Sequence, residues 1–209
     1  MVNSLKNTAL KEKIIENYGT PCAVVDLDIV EKNIKRVQSF CNKANVANRP
    51  HIKTHKSPIL AKLQLDAGAQ GITCQKLGEA KVMASAGITD IIIATNLLGA
   101  AKSGQLASLH KDTSLKVCAD NSVSLKAHSK AASDANKPMQ VLVECDTGQL
   151  RAGVETPEEA LKLAAEIKAD PMLQFEGLLF YPPLDGWPAT QLFLNKVLTG
   201  LTELKLQAN

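Results

Sequence analysis

Residues 49–58 read Arg-Pro-His-Ile-Lys-Thr-His-Lys-Ser-Pro, with His51, Lys53, His55 and Lys56 crowded between two prolines. Three chemistries could use such a cluster: a metal held by the imidazoles, a phosphate held by the lysines, or a carbonyl attacked by one of the amines. The metal reading takes His51 and His55 as ligands. It needs a third ligand, and the helical HExxH of zinc hydrolases is missing, because the segment has no Glu and is not helical in pattern. The phosphate reading lacks the neighbouring glycines that let backbone N–H groups wrap an anion. A bland alternative is a buried histidine beside a solvated lysine pair in a loop.

The remaining reading is a lysine at the lip of a cavity. Burial and nearby cations would lower its amine pKa and make it nucleophilic enough for a Schiff base. The commonest aldehyde partner of such a lysine is pyridoxal phosphate. Alternate residues of a strand share a face, and Ser57-Pro58 opens a helix. His51 and Lys53 are therefore expected at the strand's C-terminal lip, with His55 and Lys56 in the turn that follows.

The rest of the chain supplies elements to position that lip. A helix over about 7–17 is followed by the Gly19-Thr20-Pro21 break, and CAVVDL then reads as a strand. Asp28 with Glu31 has capping-box spacing for a helix to about Ala44. Further strands are expected near 48–53, 71–75, 90–95, 115–119, 140–145 and 174–181. Helical patterns lie between them, one opened by Thr156-Pro157-Glu158-Glu159. A last helix is expected from about Thr190.

Strand–helix units repeated every 20–30 residues or so indicate a parallel sheet covered by helices. A doubly wound sheet and a (β/α)8 barrel both fit. No GxGxxG follows the first strand and no GxxxxGK[ST] occurs. Polar residues stand instead at the ends of several strands: Lys53, Gln75, Asn96, Asp120, Asp146 and Tyr181. Dispersed strand-end residues favour a barrel, whose site is assembled from many strand C-termini. Six such units plus a leading strand fall short of eight, so an incomplete barrel is expected. Its open edge would promote self-association.

Composition narrows the function classes. The 209 residues carry a net charge of +3 with 3% aromatics, which argues against a nucleic-acid surface. Five cysteines without CxxC spacing read as small buried hydrophobes in a reducing compartment. The N-terminus has no signal-peptide core and no apolar run is long enough to span a bilayer, so a cytoplasmic protein without membrane contact is expected. Asp26 and Asp28 read as strand end and helix cap rather than an acid pair.

TPCAVVDLDIVEKNI, RPHIKTHKSP, GITCQKLGEA, DIIIATNLLG, VLVECDTGQLRAGV and FEGLLFYPP, in this order, resemble the D-threonine aldolase and D-serine dehydratase-like proteins. These are fold-type III pyridoxal-phosphate enzymes with a barrel like that of alanine racemase, and the resemblance runs from about residue 20 to 183. It implies an α/β fold: a helical extension over 1–19, then a partial TIM-type barrel over 20–209 with about six of eight strands and without the C-terminal β-domain. It implies Lys53 as the Schiff-base lysine, Arg151 near the phenolic oxygen side of the cofactor ring, Tyr181 as an active-site tyrosine, and His51 and Gln75 as pocket residues. The activity implied is that of a lyase on β-hydroxy D-amino acids, foremost a D-threonine aldolase. A D-serine dehydratase, an amino-acid racemase and a non-catalytic pyridoxal-phosphate carrier are the alternatives. A divalent metal, Mn or Zn, is implied by resemblance only, with ligands outside this chain. A homodimer of the full-length protein fits the same resemblance. The family's DxGMGR reads DTGQLR here, which keeps Arg151 and changes its neighbours.

Overall fold

The computed structural model describes residues 8–208. Two helices come first, α1 (Thr8–Tyr18) and α2 (Leu27–Lys43). Then α3 (Pro58–Asp66) leads into β1 (Ile72–Cys74), α4 (Leu77–Ser85), β2 (Asp90–Ile93), α5 (Ala100–Lys111) and β3 (Ser114–Ala119). The order continues with α6 (Ser122–Ala135), β4 (Met139–Cys145), α7 (Pro157–Ala169), β5 (Leu173–Phe180) and α8 (Trp187–Glu203). The first seven residues of the expected helical extension lie outside the described part.

The five strands pair in sequence order, every pair parallel. A doubly wound sheet reverses its strand order at a switch point. This one never reverses, which decides between the two expected architectures in favour of a barrel wall. One face of the sheet meets the helices through a continuous apolar core that includes Ile72, Ile91, Ile93, Val117, Val141 and Val143, all without exposed surface. The opposite face carries Thr73, Ile92, Lys116, Gln140 and Glu144, the mixed lining of a barrel interior. Two ion pairs floor it. Arg49 grips Asp90 through two contacts of 2.8 and 3.1 Å, and Lys116 pairs with Glu176, which also accepts from Gln140. Gly71 lies under the first pair: a Cβ there would stand 2.0 Å from Arg49 Nη1 and 2.8 Å from the Asp90 carbonyl oxygen.

The helix ends follow their caps. Ser57 accepts from Leu60 N–H ahead of Pro58, and Thr156 and Glu159 close a reciprocal capping box. Four expectations need correction. The α2 cap is Asp26, which accepts from Ile29 N–H, so Asp26 is not a strand end and Asp28 lies inside the first turn. CAVVDL forms no strand, and Val24 and Val25 are about half exposed. The 48–53 segment runs beside β1 but makes only one bridge, His51 to Thr73. Pro50 has no N–H to give, and the chain turns at once after Ile52. The last helix also starts at Trp187, three residues before Thr190. Among the described residues no helix is long and apolar enough to cross a membrane.

Candidate active site

The segment 49–56 reaches the carboxyl edge of the sheet and turns over. Thr73 N–H donates to the Pro50 carbonyl, Ile52 N–H to the Thr73 carbonyl, and Lys56 N–H back to the Ile52 carbonyl. Lys56 takes a left-handed φ of 51° to finish the turn. Each histidine of the motif braces it in the same way. His51 Nδ1 accepts from Lys53 N–H at 3.3 Å, and His55 Nδ1 accepts from Ser57 N–H at 3.1 Å. A neutral imidazole that accepts at Nδ1 carries its proton on Nε2. Neither ring therefore offers a lone pair to a metal, and the metal reading of this cluster fails on its own hydrogen bonds.

The two lysines separate by partner. Lys56 reaches Glu79 at 3.4 Å. Burial opposes ionisation of Glu79, yet N–H donation from Gln75, the Lys56 ammonium and N–H donation from Lys76 hold its carboxyl below the usual range. Lys53 has no carboxylate within ion-pair reach among the described residues. It lines a cavity of about 790 Å³ at the carboxyl ends of the strands. The expected burial of its amine is not met, since Lys53 is exposed at the lip.

His51, Gln75, Arg151 and Tyr181 line the same cavity, so the five expected site residues converge. His51 Nε2–H donates to Gln75 Oε1 at 3.2 Å, and the Gln75 amide donates on to Thr95 Oγ1 at 2.5 Å and the Ala94 carbonyl. Burial first, then the Lys53 charge, keeps the His51 pKa below its ordinary 6.5, against the Gln75 bond and the Glu79 charge.

Arg151 arrives on a loop built by one carboxylate. Asp146 accepts from Gly148 and Gln149 N–H at 2.8 Å each and from Arg151 N–H at 2.9 Å. Burial alone would raise its pKa, but these donors hold it below the usual carboxylate range. The loop rejoins the sheet at Val154 through two backbone bonds to Glu144 and Asp146. Gly153 sits at φ +106°, where a Cβ would press on Cys145 and Asp146 backbone at 2.6 Å. Among the described residues the Arg151 guanidinium makes no ion pair with Asp146, whose carboxylate is taken up by the backbone. The guanidinium lies 5.1 Å from the centre of the Tyr181 ring, a cation–π contact between two strand ends.

Of the six strand-end residues expected to carry chemistry, Lys53, Gln75, Asn96 and Tyr181 line the cavity, whereas Asp120 and Asp146 hold the loop. Sequence reasoning passed over Arg49, Thr95 and Glu144. Arg49 and Glu144 had a signal: each stands two positions before a residue already singled out, on the same strand face. Burial pushes the Glu144 carboxyl up, while the Cys118 thiol, 3.6 Å away, donates to it.

A primary amine free of carboxylates, an arginine and an aromatic ring around a cavity of this size fit an aldehyde cofactor held at Lys53. No group of three or more His, Cys, Asp or Glu side chains fits a metal ion among the described residues.

Residues 25–204 match the family model "Alanine racemase, N-terminal domain". The D-threonine aldolase of an Arthrobacter species is 41% identical over 80% of this chain and 44% of its own length. The crystal structure of D-threonine aldolase from Filomicrobium marinum superposes with a TM-score of 0.87 at 32% identity, over 90% of this chain and 54% of that one. D-threo-3-hydroxyaspartate dehydratase from Delftia sp. HT23 gives 0.78 at 26%, over 92% and 54%. The chain spans about half the length of the relatives it matches. An unreversed parallel sheet, with a lysine and an arginine meeting at its carboxyl edge, is thus joined to a match over most of the sequence: the chain belongs to the alanine racemase N-terminal domain family.

Proposed function

We propose that the protein is a pyridoxal-phosphate-dependent lyase acting on β-hydroxy D-amino acids, with the D-threonine aldolase type of carbon–carbon cleavage as its reaction. The observation that carries this is the meeting of Lys53, Arg151 and Tyr181, from three separate segments at the carboxyl edge of the sheet, on one cavity, in a chain 41% identical to a D-threonine aldolase. In this reading residues 20–209 make up the cofactor-binding portion and residues 1–19 an extension that precedes it. The protein acts in the cytoplasm, as a homodimer when full-length.

Lys53 holds the cofactor covalently, Arg151 faces the phenolic oxygen side of its ring, and Tyr181, His51 and Gln75 line the pocket. When bound, the cofactor supplies an electron sink for the bond-breaking step. The chain's residues do the rest. For the dehydratase alternative, the Lys53 amine would be the base that takes the α-proton. Arg151 supplies fixed positive charge where anionic character develops. The divalent metal implied by the family resemblance has no fitting residues among the described ones, and no step is assigned to it.

The dehydratase reading draws support from the Delftia neighbour. It differs in outcome: D-serine would give pyruvate and ammonia, whereas D-threonine cleavage gives glycine and an aldehyde. Two measurements test the proposal. Pyridoxal phosphate added to the protein should give the visible absorbance of a lysine-bound cofactor, and Lys53→Ala should abolish it; persistence in the variant refutes the assignment. Product analysis with both substrates, with and without chelator, chooses the reaction.

A further inference from the structure

The hydrogen bonds around His51 do more than line a pocket. Its Nδ1 accepts the N–H of Lys53, the residue two positions on, as an Asn side chain does in an Asx-turn. Its Nε2–H is committed to Gln75 Oε1, and Gln75 is fixed in turn by Thr95 and the Ala94 carbonyl. Glu79 completes the frame from α4 by accepting Gln75 N–H at 2.8 Å while binding Lys56. The ring thus spans from the lysine's own backbone to the next two strand ends.

We infer that His51 is a positioning residue, whose neutral, Nε2-protonated ring fixes the backbone turn presenting the Lys53 amine and whose second protonation releases that turn. An imidazolium carries hydrogen on both nitrogens, so the Lys53 N–H would then face another N–H instead of a lone pair. The charged groups around the ring are Lys53 beside it and Glu79 on α4. Arg49, Glu144 and Arg151 line the same cavity. Burial and the Lys53 charge act to keep the ring neutral near pH 7, against Glu79.

This inference rests on the cofactor reading of Lys53, and two readouts keep the two separable. Nitrogen-15 NMR of the histidine-labelled chain reports the tautomer without any cofactor. With four histidines in the chain, His51→Asn identifies the signal. Above pH 7 the ring should carry its proton on Nε2, and the Lys53 amide resonance should shift with the same midpoint as the ring when acid is added. A proton on Nδ1, or an indifferent Lys53 amide, overturns the inference.

The second readout is the rate at which added pyridoxal phosphate becomes covalently attached at Lys53 with loss of one water, trapped by borohydride and located by mass spectrometry. His51→Phe, which accepts nothing, should slow attachment roughly tenfold above pH 7, and the gap to the parent should close as acid protonates the parent's ring. His51→Asn keeps the acceptor but cannot be protonated, so its rate should match the parent above pH 7. The ratio of His51→Asn to parent should rise severalfold as the pH falls below 6.5. A flat ratio overturns the positioning role. Failure of the parent to attach cofactor at any pH overturns the proposed function instead, and the NMR result then decides this inference alone.

Discussion

His128 should make the protein sensitive to mild acid. It lies on α6 with no exposed surface, donates from Nε2 to the Cys118 carbonyl at 3.0 Å, and has no hydrogen-bond partner at Nδ1. Burial, only partly offset by that bond, pulls its pKa from 6.5 to about 4. The unfolded chain therefore takes up a proton from about pH 6.5 downward while the folded protein refuses it. Stability from this group is complete above 6.5 and is lost as the pH falls toward 4. Each pH unit in that window costs about 1.4 kcal/mol, so pH 5 costs about 2 and the full shift about 3 kcal/mol, set against a total of roughly 5–15. His51 and His110, also held below the ordinary histidine value, act in the same direction. Glu144, held above its ordinary value, opposes them: it favours the folded state below the usual carboxylate range and loses that contribution as pH rises. The assay is urea unfolding at pH 7, 6 and 5 for the parent and for His128→Gln, which keeps a donor for Cys118 but cannot titrate. The variant should lose about 2 kcal/mol less than the parent between pH 6.5 and 5. Equal pH slopes would refute the reasoning. The outcome also bears on His51, whose local release must be read at a pH where the fold is intact.

Gly71→Ala should cost about 2 kcal/mol by overpacking against the Arg49–Asp90 pair and the Asp90 carbonyl, seen as a lower urea midpoint. Leu150→Gly should stabilise by roughly 0.5–1 kcal/mol, because relief of the left-handed backbone at φ 52° exceeds the added chain entropy and the mostly exposed side chain packs against little. Of the five thiols, the exposed Cys22 should react first with a disulfide reagent. Buried Cys74 and Cys145, each pushed up to about 12 by burial, and Cys118, pushed up likewise, should react only on unfolding; a fast phase of more than two thiols contradicts the packing.

Sequence reading found what periodicity encodes. β1 to β5 stand within a residue or two of the expected runs, because each is an apolar stretch buried against helices and bounded by a cap or glycine. It failed where a partner decides. CAVVDL has strand composition but forms no strand, and α2, amphipathic in pattern, buries only Gln38 and leaves Phe40 72% exposed. Pro50 alone was a visible warning that the 48–53 run could not hold a full ladder. In the site, the motif located Lys53, but which lysine stood free depended on Glu79, 23 residues beyond Lys56 in the chain. No local pattern encodes that contact.

The Asp146 loop explains how Gln149 and Leu150 can replace the usual residues before Arg151. Its shape is cast from backbone N–H groups onto Asp146, with Asp120 accepting from Gly153 N–H, so the mould uses no side-chain contact from those two positions. Such a segment separates heritable form from heritable sequence. Position 149 can drift through many residue types while the guanidinium still arrives above Tyr181; position 150, at φ 52°, favours glycine, and selection on this stretch falls on Asp146, Asp120, Arg151 and the positive-φ glycines Gly148 and Gly153.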